Sequence, residues 1–421
     1  MKSSSETRRV AAAARSSSRT PTKKHAKKTK AKTKSPVARL TDRVGSARGR
    51  RLESTAERRQ QANLYRGIFA LVALLSLIGL VMVLSASSVT ALYDNGSPWY
   101  QFERQFAWLV LGVVALFVVQ RIDYHRLTRL IPAALVITGV LMLLVFMPVF
   151  GIDVNGSSRW LGWGQIRIQP SEIVKLVMIM FVADVLTRRE KQLDDNRAVL
   201  WPILAVFLSF VAMLMLQPNL GTTIILASIV LVMLFVGGIP GKPLGVLIAI
   251  LVGGATMAAF LEPYRFRRLV AFRDPWADPL NAGLQTVQSQ ISLANGGIFG
   301  TGLGAGRAKW GFLPEAHTDF IYAIIGEELG LVGALSVIAL FLGLGLLGVR
   351  TALRAPDRLG LLIATGITTW ILVQASINIG AVVGVLPITG VPLPFVSFGG
   401  SSLVVTMVAV GILLNVARQA R

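Results

Sequence analysis

The sequence predicts an all-α polytopic membrane protein of ten transmembrane helices, with both termini cytoplasmic and a large external loop between helices seven and eight. Three observations carry this expectation. The 421 residues are 53% hydrophobic and only 15% charged, with a mean hydropathy of +0.62. Apolar runs recur at lengths near the roughly 20 residues that cross a bilayer. Basic residues gather in alternate short connections, as they do on the cytoplasmic side of a membrane.

The first 66 residues come before any apolar run. They hold 20 Lys and Arg, densest from Lys23 to Lys34, against Glu6, Asp42, Glu53 and Glu57. Such a Ser-, Ala- and Lys-rich stretch cannot bury a core, so residues 1–66 are expected to be a disordered cytoplasmic tail. Placed just ahead of a helix, it is expected to lie against anionic membrane lipid. The formal charge of +22 is therefore a membrane-surface signal, and no nucleic acid is expected as a partner. The absence of cysteine excludes disulfides and thiolate sites. No secretory signal peptide is expected, since the first apolar run starts near Gly67 with no small-residue cleavage pattern after it.

The membrane domain is expected over 67–417, with 418–421 as a cytoplasmic end. Its spans cover 67–91, 105–120, 130–150, 171–187, 199–216, 221–237, 244–261, 320–348, 359–385 and 402–417. The connections holding Arg121, Arg126 and Arg129, then Arg188 to Arg197, Lys242, and Arg350 to Arg358 face the cytoplasm by the positive-inside rule. The break at Gln217-Pro-Asn-Leu-Gly221 reads either as a tight external turn or as a re-entrant kink. Three external segments are more than connectors: 151–170, the long loop 262–319, and the Pro- and Gly-rich 386–400. A loop of more than 50 residues implies function or hidden elements. Residues 281–295 have the apolar spacing of a short helix.

Polar groups at membrane depth mark candidate chemistry. Glu315, His317 and Asp319 sit where the long loop enters the eighth span. Asp319 reads either as an N-terminal cap or as a functional carboxylate. Further down, Glu327 falls about 80° around and roughly 12 Å deeper than Asp319, while Glu328 falls on the opposite face. Pro170 suits the first turn of the fourth span. Glu172 and Lys175 then share a face, either as a self-neutralising pair or with Lys175 turned toward an anionic ligand. Arg159, Arg265, Arg267, Arg268, Arg273, Arg307 and Lys309 place cations on the outer side, suited to phosphate oxygens or to lipid headgroups. His125 and His25 have no partner pattern. A metal site built on His317 and the nearby acids lacks the usual ligand spacing.

The stretches Gly79–Ser87, Asn155–Trp160, Gln169–Lys175, Gln217–Gly221, Phe312–Tyr322 with Gly326–Gly330, Asn378–Gly380 and Pro392–Ser402 resemble the FtsW/RodA/SpoVE family, the SEDS proteins. The resemblance implies the ten-helix SEDS fold and a peptidoglycan glycosyltransferase. That enzyme polymerises lipid II, an undecaprenyl-pyrophosphate-linked disaccharide-pentapeptide, on the outer face of the plasma membrane. It also implies a class B penicillin-binding transpeptidase as partner, with other divisome proteins. The family's essential aspartate corresponds to Asp319, and its Glu and Lys pair to Glu172 and Lys175. Tyr322 to Glu328 and Gln374 to Gly380 resemble the division member, which implies work at the septum; the basic extension resembles high-GC Gram-positive bacteria.

On this reading Asp319 is either the base that takes the acceptor hydroxyl's proton or the ligand of a divalent cation (Mg or Mn). Lys175 and Arg159 suit the leaving pyrophosphate, His317 orients Asp319, and Glu315 shapes the loop. Pro392, Pro394, Ser397, Gly399, Gly400 and Ser401 form an external rim beside the substrate. Two other classes compete: a lipid II flippase, and a non-catalytic divisome scaffold that activates a transpeptidase. Essential polar residues distributed at mid-membrane and on both faces would favour the flippase; tolerance of Asp319→Asn, with folding and partner binding intact, would favour the scaffold.

Overall fold

The computed structural model describes residues 36–154, 157–163, 166–261 and 263–420, with the backbone alone over 36–60 and at some positions beside these breaks, Arg265 among them. The lysine-rich part of the basic tail lies outside the described residues. Ala56–Arg421 forms one compact unit.

The helices run α1 (Pro36–Asn95), α2 (Tyr100–Val119), the single turn α3 (Tyr124–Leu127), α4 (Ile131–Leu144), α5 (Pro170–Arg188), α6 (Leu200–Leu216), α7 (Leu220–Val236), α8 (Gly241–Leu261), α9 (Pro263–Arg273), α10 (Leu284–Gly296), α11 (Ile321–Leu353), α12 (Arg358–Val383) and α13 (Ser401–Gln419). The first of these begins inside the stretch expected to be a tail. Each of the ten expected spans holds a helix among the described residues. Six are long and apolar enough to cross a membrane: α1 from Gln61, α2, α3 continued by α4, α11, α12 and α13. The difference from ten has a physical source. α6 and α7 have only 17 residues each. α5 carries Glu172, Lys175, Asp184 and Arg188 within its 19 residues.

A three-stranded antiparallel sheet joins α4 to α5: β1 (Gly151–Val154), β2 (Ser157–Trp163) and β3 (Ile166–Ile168). Leu161 pairs with Gly151 on one side and Ile168 on the other. Along β2, Arg159 and Leu161 lie on one face and Ser158, Trp160 and Gly162 on the other.

The centre of the bundle is α5 against α12, α7, α4 and α13. Burial follows: 78% of the α13 span and 67% of the α12 span are inside the protein, against 17% of α2. α2 therefore presents Val110, Leu111 and Val114 outward, as lipid requires. Small residues let backbones approach. A Cβ on Gly79 of α1 would fall 2.5 Å from the Phe395 carbonyl oxygen, so glycine there lets the 386–400 segment lie on the helix. On the opposite side His125 does have partners: its Nδ1 meets Asp123 at 2.8 Å and its Nε2 meets Asp357 at 3.0 Å. His125 holds the Asp123 carboxyl below its ordinary value.

Candidate active site

Asp319 lies two residues before α11, on a turn set by Glu315, which takes a left-handed φ of +56°. The Glu315 carbonyl accepts from Thr318 N and Phe320 N, both at 3.2 Å, and its carboxylate takes the Thr318 hydroxyl at 2.8 Å. The turn is sewn to two other segments. Asn378 on α12 donates to the Asp319 carbonyl (2.7 Å) and to the Val391 carbonyl (2.8 Å). Phe398 N donates to the His317 carbonyl at 3.0 Å. The Asp319 carboxylate lies over Gly390, where a Cβ would stand 3.6 Å from Oδ2.

Half-buried, the Asp319 carboxyl is pushed up to about 7, by burial first and then by the negative charge of Glu315. Arg268 and Arg159 pull the other way. Arg268 of α9 donates to the Ile388 carbonyl at 3.2 Å. Arg159 of β2 donates to the carbonyls of Gln217 (3.0 Å) and Pro218 (2.6 Å). All three external segments thus converge on one carboxylate flanked by two guanidinium groups. Burial holds the His317 imidazole below its ordinary value, with Glu315 opposing, so the ring is neutral at pH 7.

A second polar centre lies inside the bundle. Lys175 is fully buried; it donates to Glu172 at 2.8 Å and to Gln374 at 2.7 Å, and stands 4.7 Å from the Trp370 ring. The Ser402 hydroxyl donates to the other Glu172 oxygen at 2.8 Å. Lys175 is thus turned inward, toward Glu172, in the paired arrangement. Gln374 donates onward to the Pro392 carbonyl at 2.9 Å. Gln374 and Asn378, one turn apart on α12, therefore connect the buried pair and the Asp319 turn to adjacent carbonyls of the 386–400 segment. In the sequence the signal for this pair is two amides at i, i+4 in an apolar helix.

The rim residues divide. Pro392, Gly399 and Gly400 are half-buried, whereas Pro394, Ser397 and Ser401 are buried beneath them. Ser397 Oγ accepts from Leu393 N at 2.8 Å, and Ser401 Oγ accepts from Gln169 N at 3.1 Å, just ahead of α5. Lys309, expected among the outward cations, is buried in an ion pair with Glu328 at 3.0 Å. Among the described residues no three His, Cys, Asp or Glu side chains gather into a metal-holding group.

A family model for cell cycle proteins of the FtsW/RodA/SpoVE type matches residues 65–421. Stage V sporulation protein E of Bacillus subtilis is 41% identical over 348 residues, covering 83% of this chain and 95% of its own. A protein of Geobacter metallireducens named probable peptidoglycan glycosyltransferase FtsW is 40% identical, covering 83% and 93%. Among solved structures, a chain from a study of how a peptidoglycan synthase complex coordinates polymerization and crosslinking superposes with a TM-score of 0.69 at 29% identity, covering 84% of this chain and 97% of that one. The rod shape determining protein RodA of Thermus thermophilus gives 0.62 at 26% identity, covering 84% and 96%.

Proposed function

The chain belongs to the FtsW/RodA/SpoVE family of cell cycle proteins, and from that premise we propose that it is a peptidoglycan glycosyltransferase polymerising lipid II into glycan strands. In the reaction, the 4-hydroxyl of one disaccharide attacks the anomeric carbon of another from the face opposite the lipid pyrophosphate. The hydroxyl loses a proton, the configuration inverts, and undecaprenyl pyrophosphate departs. Asp319 is the base. A carboxyl raised to about 7 is partly ionised at neutral pH and basic enough to take a hydroxyl proton. Arg159 and Arg268, close enough to lower that value, stabilise the charge developing on the pyrophosphate. His317, neutral, packs 5.7 Å from Phe398 and supports the turn. Glu172 and Lys175 hold α5 against α12 and α13, beneath the reacting groups.

The observation that carries this reading is the Asp319 carboxylate at the meeting of three external segments, with Arg159 and Arg268 close enough to act on it. The ten helices that occupy the expected spans are proposed to cross the plasma membrane, which puts Asp319 on its outer face. A class B penicillin-binding transpeptidase is the proposed partner, supported by the likeness to a synthase-complex chain. A septal role is supported by the division-type residues from Tyr322 to Glu328 and from Gln374 to Gly380, and a high-GC Gram-positive source by the basic extension.

The test is glycan-strand formation from purified lipid II in vesicles, with the transpeptidase present. Asp319→Asn should lower the rate by about 10²- to 10⁴-fold, the usual contribution of a positioned base, with folding and complex formation unchanged. Equal polymer from both proteins would remove Asp319 from the chemistry. No polymer from either, beside an active reference polymerase, would move the reading to lipid II transport or scaffolding.

A further inference from the structure

α11 is two helices spliced by a loop. At Gly330 the backbone takes φ +70° and ψ −168°, a region essentially restricted to glycine. Such a break strands carbonyls at the end of the first half and amides at the start of the second. Residues 297–302, just beyond α10, satisfy them. Leu331 N donates to Gly297 O at 2.9 Å and Val332 N to Ile298 O at 3.2 Å. Thr301 N donates to Glu327 O at 2.9 Å and Gly302 N to Glu328 O at 3.1 Å. The approach tolerates no side chain: a Cβ on Gly300 would fall 2.2 Å from Glu328 O. The side chains of both acids lock the following residues. Glu327 accepts from Arg307 N (2.9 Å) and Ala308 N (3.2 Å). Glu328 pairs with Lys309 and accepts from Ser85 Oγ at 2.7 Å, while Lys309 donates to Gly304 O at 2.6 Å.

A segment fixed this firmly nonetheless exposes Ile298 (61%), Phe299 (82%) and Leu303 (60%). Large apolar side chains held outward together mark a contact surface. What they adjoin identifies the contact. Leu331, Leu335, Leu342, Leu346 and Val349 are each at least half exposed and form the outward stripe of α11. From Leu331 to Arg350 is 20 residues, about 30 Å of helix, which matches the hydrocarbon thickness of a bilayer. With Arg350 at one edge of the hydrocarbon, Leu331 stands at the other, and Ile298 is bonded to its neighbour Val332. Irregular backbone survives at this depth only where protein satisfies its polar groups, which the splice does.

We infer that Ile298, Phe299 and Leu303 are seated in the outer leaflet of the bilayer, forming a membrane anchor continuous with the lipid-facing stripe of α11. The anchor has a use that rests on the proposed function. Lys309 and Glu328 close the stretch of chain that carries Asp319, so a loop fixed in the leaflet fixes the height of that carboxylate. A lipid-linked substrate presents its sugars at a set height above the same leaflet.

The chain has no cysteine, so a single nitroxide label can be placed on the full protein in phosphatidylethanolamine–phosphatidylglycerol bilayers. Labels at Phe299→Cys, at Leu342→Cys in the outward stripe, and at Asp194→Cys in an exposed connection would be compared. At 299, collisions with oxygen should exceed those with a water-soluble nickel chelate, as at 342. Nickel accessibility at 299 equal to that at 194 would overturn the inference. So would shielding that appears only when the transpeptidase is added, which would make this a protein docking surface. In vesicles, Phe299→Glu should lower polymerisation about tenfold or more, since an acid in hydrocarbon is costly, whereas Phe299→Trp should preserve it. Full activity of Phe299→Glu would overturn the height-setting role. The depth measurement stands whether or not the chain polymerises lipid II.

Discussion

At the scale of single residues, Asp319 is controlled by three charges, Glu315 and Arg268 of the long loop and Arg159 of β2. Protonation removes a base, so kcat/KM should fall as pH drops through about 7, the value to which the carboxyl is raised. Glu315 raises that value and Arg268 lowers it. Glu315→Gln should therefore move the acid limb to lower pH, and Arg268→Gln should move it to higher pH. The check is a pair of pH–rate profiles on lipid II; displacement of both limbs in the same direction would contradict the assignment. The buried Lys175–Glu172 pair calls for a different measurement. Lys175→Met leaves a carboxylate uncompensated inside the bundle and should cost about 3–5 kcal/mol. The double variant Glu172→Gln, Lys175→Met removes both charges and should recover much of that loss in thermal denaturation.

At the scale of elements, sequence and structure agree where the signal is local. Apolar length gave the positions of ten helices, six of them long and apolar enough to cross a membrane, and the spacing over 281–295 gave α10, found at Leu284–Gly296. The Glu315–Asp319 cluster was visible because carboxylates are rare beside apolar runs. What escaped depends on tertiary contact. Arg268 was one cation among seven until α9 brought it to Ile388 and Asp319. Lys309 looked like an outer-face cation because only the fold turns it inward to Glu328. The sheet over 151–168 was hidden by its glycines and by strands as short as three residues. The break at Gly330 left no mark in an otherwise helical pattern. Its consequence is testable: Gly330→Ala would hold a Cβ at positive φ, 2.3 Å from Gly300 N. That conformation alone costs about 1–3 kcal/mol, so a lowered melting temperature is expected. The analogous Gly254→Ala, where a Cβ meets nothing within 4 Å, should be close to neutral.

For the whole molecule, the outstanding physical question is whether the short helices cross. α6 and α7 are 17 residues each, about 26 Å of helix, slightly less than the hydrocarbon thickness. Local thinning of the bilayer absorbs a mismatch of this size at modest cost. The turn between them is held by protein: Gln217 donates to the Met142 carbonyl at 3.2 Å, and the Asn219 side chain caps α7 through Thr222 N at 3.3 Å. Arg159 closes the same turn from the sheet, on the Asp319 side. Two full crossings therefore put Pro218 on the face with Asp319, and Lys242 and Asp194 on the other. Single cysteines at these positions can be read in intact cells with a membrane-impermeant maleimide. Pro218→Cys should be labelled from outside, while Lys242→Cys and Asp194→Cys should react only after the membrane is opened. Labelling of Pro218→Cys only after opening would make α6 and α7 a re-entrant pair, and would place the Arg159 turn and the carboxylate it faces out of reach of a substrate polymerised outside the membrane.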